Sequence, residues 1–453
     1  MAKKVDATNG NLIKLIFAYT IPLALTTILQ SLFNTADKAV LGNMAGSIAV
    51  ASVGATGTVI SLIINGAVGL STGTAIILAR YVGQKNEKKI RQTIDTSVIT
   101  SLVFGLIVAV AGFFLTPIFL TATNCPKDCY DGAMIYMRMY LAGAPATLLY
   151  NYGSAILRTL GDTRKPLFYI TVAGIVNVVL NVILCFILPQ KVIAVAIATV
   201  VSKVISAALV LRELCNIDDS IKVRLKSLQF NFFTFTQMLR FGVPSSISQL
   251  VLPLGNLQIV STINSYGVHA VAGVSASTSV NGVATAFSAG FGAATTTFIG
   301  QNIGAKNPER VKRSFWYILA FNFLISGAIG AFTYLTGRFW LGLIVGMSSK
   351  AAIEFGMKRA LYVSLFMFIH ATNNTLSHSL QAFGYPFLTS ITNIFFNLGF
   401  RVLWMQLVYP LDPQFNTIML CFTVSWTLNM IFYAIFFTPI YIRYSKKGIC
   451  KKI

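Results

Sequence analysis

Apolar residues run along this chain in long stretches, and most charged residues lie in the short segments between them. Twelve of these stretches reach the roughly 20 residues that an α-helix needs to cross the hydrocarbon core of a bilayer. The pattern therefore predicts an all-α polytopic membrane protein with twelve transmembrane helices. The predicted spans are residues 12–41, 47–79, 90–120, 131–157, 166–188, 190–216, 232–264, 268–301, 309–342, 351–382, 386–410 and 413–444.

Composition supports a lipid-facing surface. Apolar residues make up 55% of the 453 residues, charged residues only 11%, and the mean hydropathy is +0.72. So few charges cannot cover the surface of a soluble protein of this size. We therefore expect the lipid bilayer to be the main partner of the chain.

The formal net charge of +22 would suggest nucleic-acid binding in a soluble protein. Here 23 of the 35 Lys and Arg residues fall at the two termini and in alternate loops, which is the distribution typical of cytoplasmic segments. We therefore expect a multi-pass protein of the inner or plasma membrane, with both termini in the cytoplasm and no nucleic-acid partner. The basic residues include Lys3, Lys4, Lys85, Arg158, Arg240, Lys306, Lys451 and Lys452.

The two halves of the chain repeat each other. Residues 49–55 (AVASVGA) recur as 270–276 (AVAGVSA), and 83–86 (GQKN) recur as 304–307 (GAKN) at the same offset. The repeat predicts two pseudo-symmetric six-helix bundles. Their predicted boundaries are 1–216 and 232–453, with residues 217–231 as a cytoplasmic linker. Two repeats related by an axis along the membrane normal are common in transporters that work by alternating access.

Polar side chains at membrane depth are costly and usually mark a functional interior. In the first half, Gln30, Asn34 and Asp37 share one helical face, and Asn177 and Asn181 stand one turn apart. With Thr199 of the sixth span, these groups form a candidate pocket in which Asp37 takes up and releases a proton. The alternative is that Asp37 is a structural carboxylate paired with a neighbouring helix.

The second half carries polar groups of a different kind. Its candidate cavity residues, listed here with two from the first half, are Gln30, Lys38, Gln249, Asn256, His370, Asn373, Asn374 and Arg401. Arg401 lies deep in an apolar run. Lys203 is also basic at apparent membrane depth, and we expect its long side chain to snorkel to the interface. Cys125 and Cys129 leave a disulfide and two free thiols equally open. We expect no metal site and no catalytic residues.

Several motifs together resemble the multidrug and toxic compound extrusion (MATE) family, in its bacterial DinF-like branch. They extend over nearly the whole chain: NTADKAVLG (34–42), AILRTLGDTRKP (155–166), NVVLN (177–181), AIATVVS (196–202), FIGQNIGAKNPERVK (298–312) and FRVLW (400–404). The resemblance implies a secondary antiporter that exports organic compounds, cationic or amphipathic and drug-like, in exchange for H⁺ or Na⁺. No other cofactor is implied, and we expect a monomer that binds a small-molecule substrate.

The family's cation or proton site maps onto Asp37, Asn177 and Thr199. Asn181 stands where the family often has a second acid, which favours protons over Na⁺. A flippase for lipid-linked oligosaccharides, with a similar fold, is the alternative function. An intramembrane enzyme is not expected, because no nucleophile–base pair or metal-ligand cluster is evident in the spans.

Overall fold

The computed structural model describes the backbone of residues 5–123 and 125–447. The side chain of Lys38 and all of Lys3, Lys4, Lys451 and Lys452 lie outside the described residues. Within the described part the regular structure is entirely helical. The fifteen α-helices are α1 (Leu12–Gly83), α2 (Glu87–Ala122), α3 (Lys127–Ala142), α4 (Ala144–Thr159), α5 (Arg164–Ile187), α6 (Lys191–Asn216), α7 (Phe232–Ser265), α8 (Val268–Gly304), α9 (Pro308–Leu335), α10 (Gly337–Val345), α11 (Lys350–Arg359), α12 (Met367–Ala382), α13 (Pro386–Asn393), α14 (Phe400–Leu403) and α15 (Phe415–Lys447).

The predicted all-α membrane fold is confirmed. Eight helical segments in the described part are long and apolar enough to cross a bilayer: Leu12–Gly42, Ala51–Gly83, Glu87–Ala122, Arg164–Ile187, Lys191–Asn216, Pro308–Leu335, Pro386–Leu411 and Phe415–Ser445. The other four predicted spans are also helical, in α3–α4, α7, α8 and α11–α12, but they are shorter or more polar.

Two compact units divide the chain. Unit 1 contains residues 25–242, and unit 2 contains residues 5–24 together with 243–447. The divisions therefore fall inside α1 and α7, so that the first part of α1 packs with unit 2 and the first part of α7 packs with unit 1. The boundaries at 216 and 232 stay a prediction about the bundles.

The amino-terminal segment of unit 2 is held by polar contacts with the end of α8 and the start of α9. The carbonyl oxygen of Ala7 accepts hydrogen bonds from Arg310 Nε at 2.7 Å and from Asn302 Nδ2 at 3.0 Å. Partial burial raises the pKa of Asp6, but hydrogen bonds from Thr8 and Asn9 outweigh it and hold that pKa below its usual value.

The internal repeat is visible in the local backbone of each half. Lys85 and Lys306 both have positive φ, 54° and 55°, which is uncommon for residues other than glycine. Each is followed by an Asn that caps the next helix: Asn86 accepts from the backbone N–H of Lys89, and Asn307 from that of Arg310. The same short motif therefore builds the same turn and cap in both halves.

Candidate functional site

Asp37 is the centre of a polar cluster inside unit 1. Its half-buried carboxylate accepts a hydrogen bond from Asn181 Nδ2 on α5 at 2.6 Å. The same amide group also donates to Asn177 Oδ1 at 3.3 Å, one helical turn away. Asn181 is fully buried, and its Oδ1 atom has no hydrogen-bond partner. Of the two α5 residues predicted from the sequence, Asn181 contacts Asp37 directly, and Asn177 is linked to it through Asn181.

A glycine allows the two helices to approach closely enough for this contact. A Cβ atom at Gly174 would overlap the ring of Phe33. Phe33 precedes Asp37 by four residues on α1, and Gly174 precedes Asn177 by three on α5. The missing side chain thus brings the helices together next to the polar cluster.

Lys203 is a positive charge close enough to act on the Asp37 carboxylate. Its ammonium group lies 3.6 Å from the ring centroid of Tyr140 and donates to Thr147 Oγ1 at 3.2 Å. The expectation that Lys203 snorkels to the membrane interface is therefore wrong. The ring of Tyr140 and the hydroxyl of Thr147 compensate the ammonium group inside unit 1, so it need not reach the interface.

The remaining predicted residues of the first half occupy different environments. Thr199 is buried and donates to the carbonyl oxygen of Val195 at 2.8 Å. It also forms a hydrogen bond with Tyr136. Gln30 and Asn34 are exposed on α1.

Arg401 is the centre of a second polar cluster, inside unit 2. Its guanidinium group donates from NH1 to Asn256 Oδ1 at 2.6 Å, from NH2 to Asn397 Oδ1 at 3.1 Å, and from Nε to Ser425 Oγ at 3.3 Å. The ring of Phe422 covers it at 4.8 Å. The burial of Arg401 expected from its position in an apolar run is observed, and Asn256, another candidate cavity residue, contacts it.

Backbone features help to assemble this cluster. A Cβ atom at Gly255 would overlap the carbonyl oxygen of Asn397, so the glycine lets α7 approach the segment before Arg401. Two π-helical turns, Ile394–Gly399 and Trp404–Val408, flank the arginine. Such turns are rare and are often found at functional sites.

The other predicted residues of the second half form separate contacts. His370 packs edge-on against Trp426 at 5.0 Å, and Asn373 Nδ2 donates to the carbonyl oxygen of Trp426 at 2.8 Å. Asn374 Nδ2 donates to the carbonyl oxygen of Ser288 at 2.9 Å. Gln249 is half-buried on α7.

Sequence reasoning missed the aromatic and hydroxyl groups that complete both clusters. Tyr140 and Thr147 lie in segments whose composition is that of an ordinary membrane helix. The same is true of Phe422 and Ser425 on α15. One sequence signal could have indicated Tyr140: its spacing of one helical turn from Tyr136, which places both rings on one face of α3. Cys125 and Cys129 are free thiols.

Comparisons with known proteins agree with this architecture. The MatE family model matches residues 22–183 and 244–404, one match in each half. A Bacillus subtilis protein named "Probable multidrug resistance protein YpnP" is 25% identical over 418 residues, covering 91% of each chain. An "FAD transporter" of Shewanella oneidensis is 26% identical over 306 residues, covering 65% of this chain and 66% of its own.

Solved structures show the same fold. A crystal structure of MATE in the straight conformation superposes with a TM-score of 0.89 at 22% identity, covering 99% of this chain and 100% of that one. With both halves of the chain matched by the family model, the chain belongs to the MatE family, the MATE multidrug efflux transporters, and is a transporter rather than an enzyme.

Proposed function

We propose that this protein exports amphipathic organic compounds in exchange for protons, with Asp37 as the group that carries the proton. The observation that carries the proposal is the contact of Asp37 with Asn181 inside unit 1. A carboxylate at membrane depth, held by a single amide donor, can exist in two protonation states with different hydrogen bonds.

The amide of Asn181 supports a two-state arrangement. In the structure its Nδ2 donates to the Asp37 carboxylate, while its Oδ1 is buried without a donor. A protonated Asp37 gains an O–H donor, and a flip of the Asn181 amide would present Oδ1 to it. Protonation would thus satisfy an acceptor that is unsatisfied when the carboxylate is ionised. Helix α1 carries this change along its length, because Asp37 lies on it.

The charges around Asp37 favour a proton over Na⁺ as the coupling ion. The ammonium group of Lys203 already acts on the carboxylate. A bound Na⁺ would add a second positive charge beside a single carboxylate, because position 181 is an amide in this chain. A proton is delivered to the carboxylate itself and requires no further ligands. Each elementary charge that moves inward across 100 mV supplies about 2.3 kcal/mol to the cycle.

The cargo is proposed as organic and amphipathic. Among the relatives, the names printed include multidrug resistance proteins and one FAD transporter, which suggests cargo that combines aromatic and polar parts. The alternative of a lipid-linked oligosaccharide flippase is not favoured by these relatives. We further propose the plasma membrane as the location, cytoplasmic termini and a monomeric state, as the basic loops and the resemblance suggest.

The test is transport by the purified protein in liposomes with an imposed proton gradient. Wild type, Asp37→Asn and the control Asp95→Asn are compared, all checked for folding by gel filtration. Asp95 is the matched control because it is another buried carboxylate of unit 1, located 3.8 Å from Arg91. Export is followed with several fluorescent amphipathic dyes of either charge.

We expect the Asp37 variant to lose gradient-driven export while the Asp95 variant retains it. Gradient-driven export by Asp37→Asn at the wild-type rate would refute the assignment of Asp37. Transport by the wild type that follows an imposed Na⁺ gradient, and ignores the proton gradient, would replace the proton by Na⁺.

A further inference from the structure

Arg401 is a buried positive charge without a counter-ion in its own unit. Its side chain is 2% exposed. All thirteen acidic residues of the chain are among the described residues, and unit 2 contains only four of them. Each of the four is exposed, and no ion pair joins any of them to Arg401. They are Asp6, Glu309, Glu354 and Asp412.

Neutral partners do not cancel this charge. The guanidinium group remains protonated in proteins, so its charge cannot be removed by losing a proton. Three of its five N–H groups donate to uncharged oxygens of Asn256, Asn397 and Ser425. A buried charge without an opposite charge is strongly unfavourable, even when it is hydrogen-bonded. The site therefore has two free N–H donors and an unmet preference for an anion.

The repeat places this arginine at the position of the coupling amide. At an offset of 220 residues, 177–181 (NVVLN) matches 397–401 (NLGFR), so that Arg401 corresponds to Asn181. The local contact is also repeated: Asn181 donates to Asn177 one turn earlier, and Arg401 donates to Asn397 one turn earlier. In unit 1 the residue at this position is an amide, Asn181, that contacts an acid, Asp37. In unit 2 it is a base, Arg401, that contacts an amide, Asn256.

We propose that unit 2 holds a binding site for the acidic group of the exported compound, a carboxylate or phosphate, centred on Arg401. Asn256 closes the site in this structure. Its half-buried side chain accepts from NH1, and an anionic oxygen is a stronger acceptor for that N–H than an amide oxygen. The incoming anion replaces the Asn256 oxygen and uses the free N–H groups.

Aromatic rings beside the arginine favour an acidic compound that also has a ring. Phe422 covers the guanidinium group and is half-buried, and Trp426 lies 6.2 Å from Phe422. The ring of His370 extends this surface, because it packs edge-on against Trp426. The rings offer stacking, and the arginine offers a fixed planar donor pair.

The inference rests on the proposed export function only in naming the anion as cargo. Anion binding itself is measured at equilibrium without any gradient. A failure of proton coupling at Asp37 therefore leaves this test unaffected, and the Asp37→Asn variant is expected to bind the anion as the wild type does.

The decisive variant is Asn256→Asp, which places a carboxylate 2.6 Å from the guanidinium group in nearly the same volume. It supplies an internal counter-ion and leaves no need for an external one. The control Asn264→Asp adds the same charge at an exposed position of the same helix. Arg401→Gln removes the charge, with the exposed Arg338→Gln as its control.

The measurement is binding of flavin mononucleotide, followed by its fluorescence, to the full chain in phosphatidylcholine nanodiscs. Riboflavin, which lacks the phosphate, is the neutral probe. Thermal unfolding with added inorganic phosphate or acetate reports the anion alone, since a ligand that binds the folded state raises Tm. A second set of nanodiscs contains phosphatidylglycerol, to distinguish a soluble acid from an anionic lipid headgroup.

We expect at least one of the three anions to bind or stabilise the wild type, and Asn256→Asp to weaken that effect about tenfold or more. Asn256→Asp should itself raise Tm in the absence of anions, whereas Asn264→Asp should change neither quantity. The proposal is overturned if no anion distinguishes the wild type from Asn256→Asp, or if riboflavin binds as tightly as flavin mononucleotide while phosphate and acetate have no effect. Loss of the anion effect only in phosphatidylglycerol nanodiscs would assign the site to lipid instead.

Discussion

The contact between Asp37 and Asn181 can be measured directly by a double-mutant cycle. The two single variants are Asp37→Leu and Asn181→Leu, and the double variant combines them. Leucine has the same branching at Cγ as both residues and can neither donate nor accept a hydrogen bond. Each single variant therefore removes the contact without introducing a new polar one.

The expected magnitude follows from the geometry. The 2.6 Å distance between Asn181 Nδ2 and the Asp37 carboxylate is that of a short, charge-assisted hydrogen bond. Such bonds contribute about 1.5–3 kcal/mol to stability, against about 0.5–1.5 kcal/mol for neutral ones. We expect a coupling free energy of about 1.5–3 kcal/mol between the two positions at a pH where Asp37 is ionised.

A parallel cycle between Asn181→Leu and Asn177→Leu serves as the internal comparison. That contact is longer, 3.3 Å, and joins two uncharged amides. Its coupling free energy should therefore be smaller, about 0.5–1.5 kcal/mol. Both cycles are measured by reversible unfolding of the purified protein in mixed detergent micelles, with folding confirmed by circular dichroism.

The reasoning fails if the cycle between Asp37 and Asn181 yields a coupling within about 0.5 kcal/mol of zero, the range found for independent sites. Equal coupling in the two cycles would also count against it, because it would mean that the charge on Asp37 adds nothing to the contact. Either result would remove the physical basis for a protonation-dependent hydrogen bond at this position.

Two further predictions concern packing and the amino-terminal segment. Gly174→Ala should destabilise the protein by about 1–3 kcal/mol, because its Cβ overlaps Phe33, and should lower transport; Gly54→Ala has open space and should be neutral or stabilising by up to about 1 kcal/mol. Thermal unfolding checks the pair: Gly174→Ala should lower Tm and Gly54→Ala should not, and a similar loss of Tm in both variants would contradict the prediction. Arg310→Ala should increase amide hydrogen exchange of residues 6–10, since it removes the hydrogen bond to the Ala7 carbonyl. The exposed Arg313→Ala should leave that exchange unchanged, and equal effects of the two variants would refute the role of this contact.

Much of the candidate site could be read from single helices. The one-turn spacing of Asn177 and Asn181 placed both on one face of a span, and an acid in an apolar run marked Asp37 as exceptional. Arg401 stood out for the same reason. A helix has a fixed period, so its sequence reveals which side chains share a face.

The partners of those faces could not be read in the same way. Asp37 and Asn181 are 144 residues apart, and Asn256 and Arg401 are 145 apart. Every membrane helix of this chain has small and apolar residues suited to packing, so the apolar pattern does not say which helix meets which. Lys203 shows the consequence: its long basic side chain was expected to snorkel, whereas Tyr140 and Thr147 hold it inside unit 1.

The helical membrane fold, the internal repeat and the identity of the unusual polar residues could all be derived from the amino-acid order alone. These follow from run length, periodicity and the cost of burying charge, all of which are local properties of the chain. Three features became visible only in the packed molecule: the first part of α1 packs with unit 2, Asp37 contacts the amide of Asn181, and Arg401 is buried among neutral partners. Those outcomes depend on close helix approaches such as the one at Gly174, which arise when distant segments pack together.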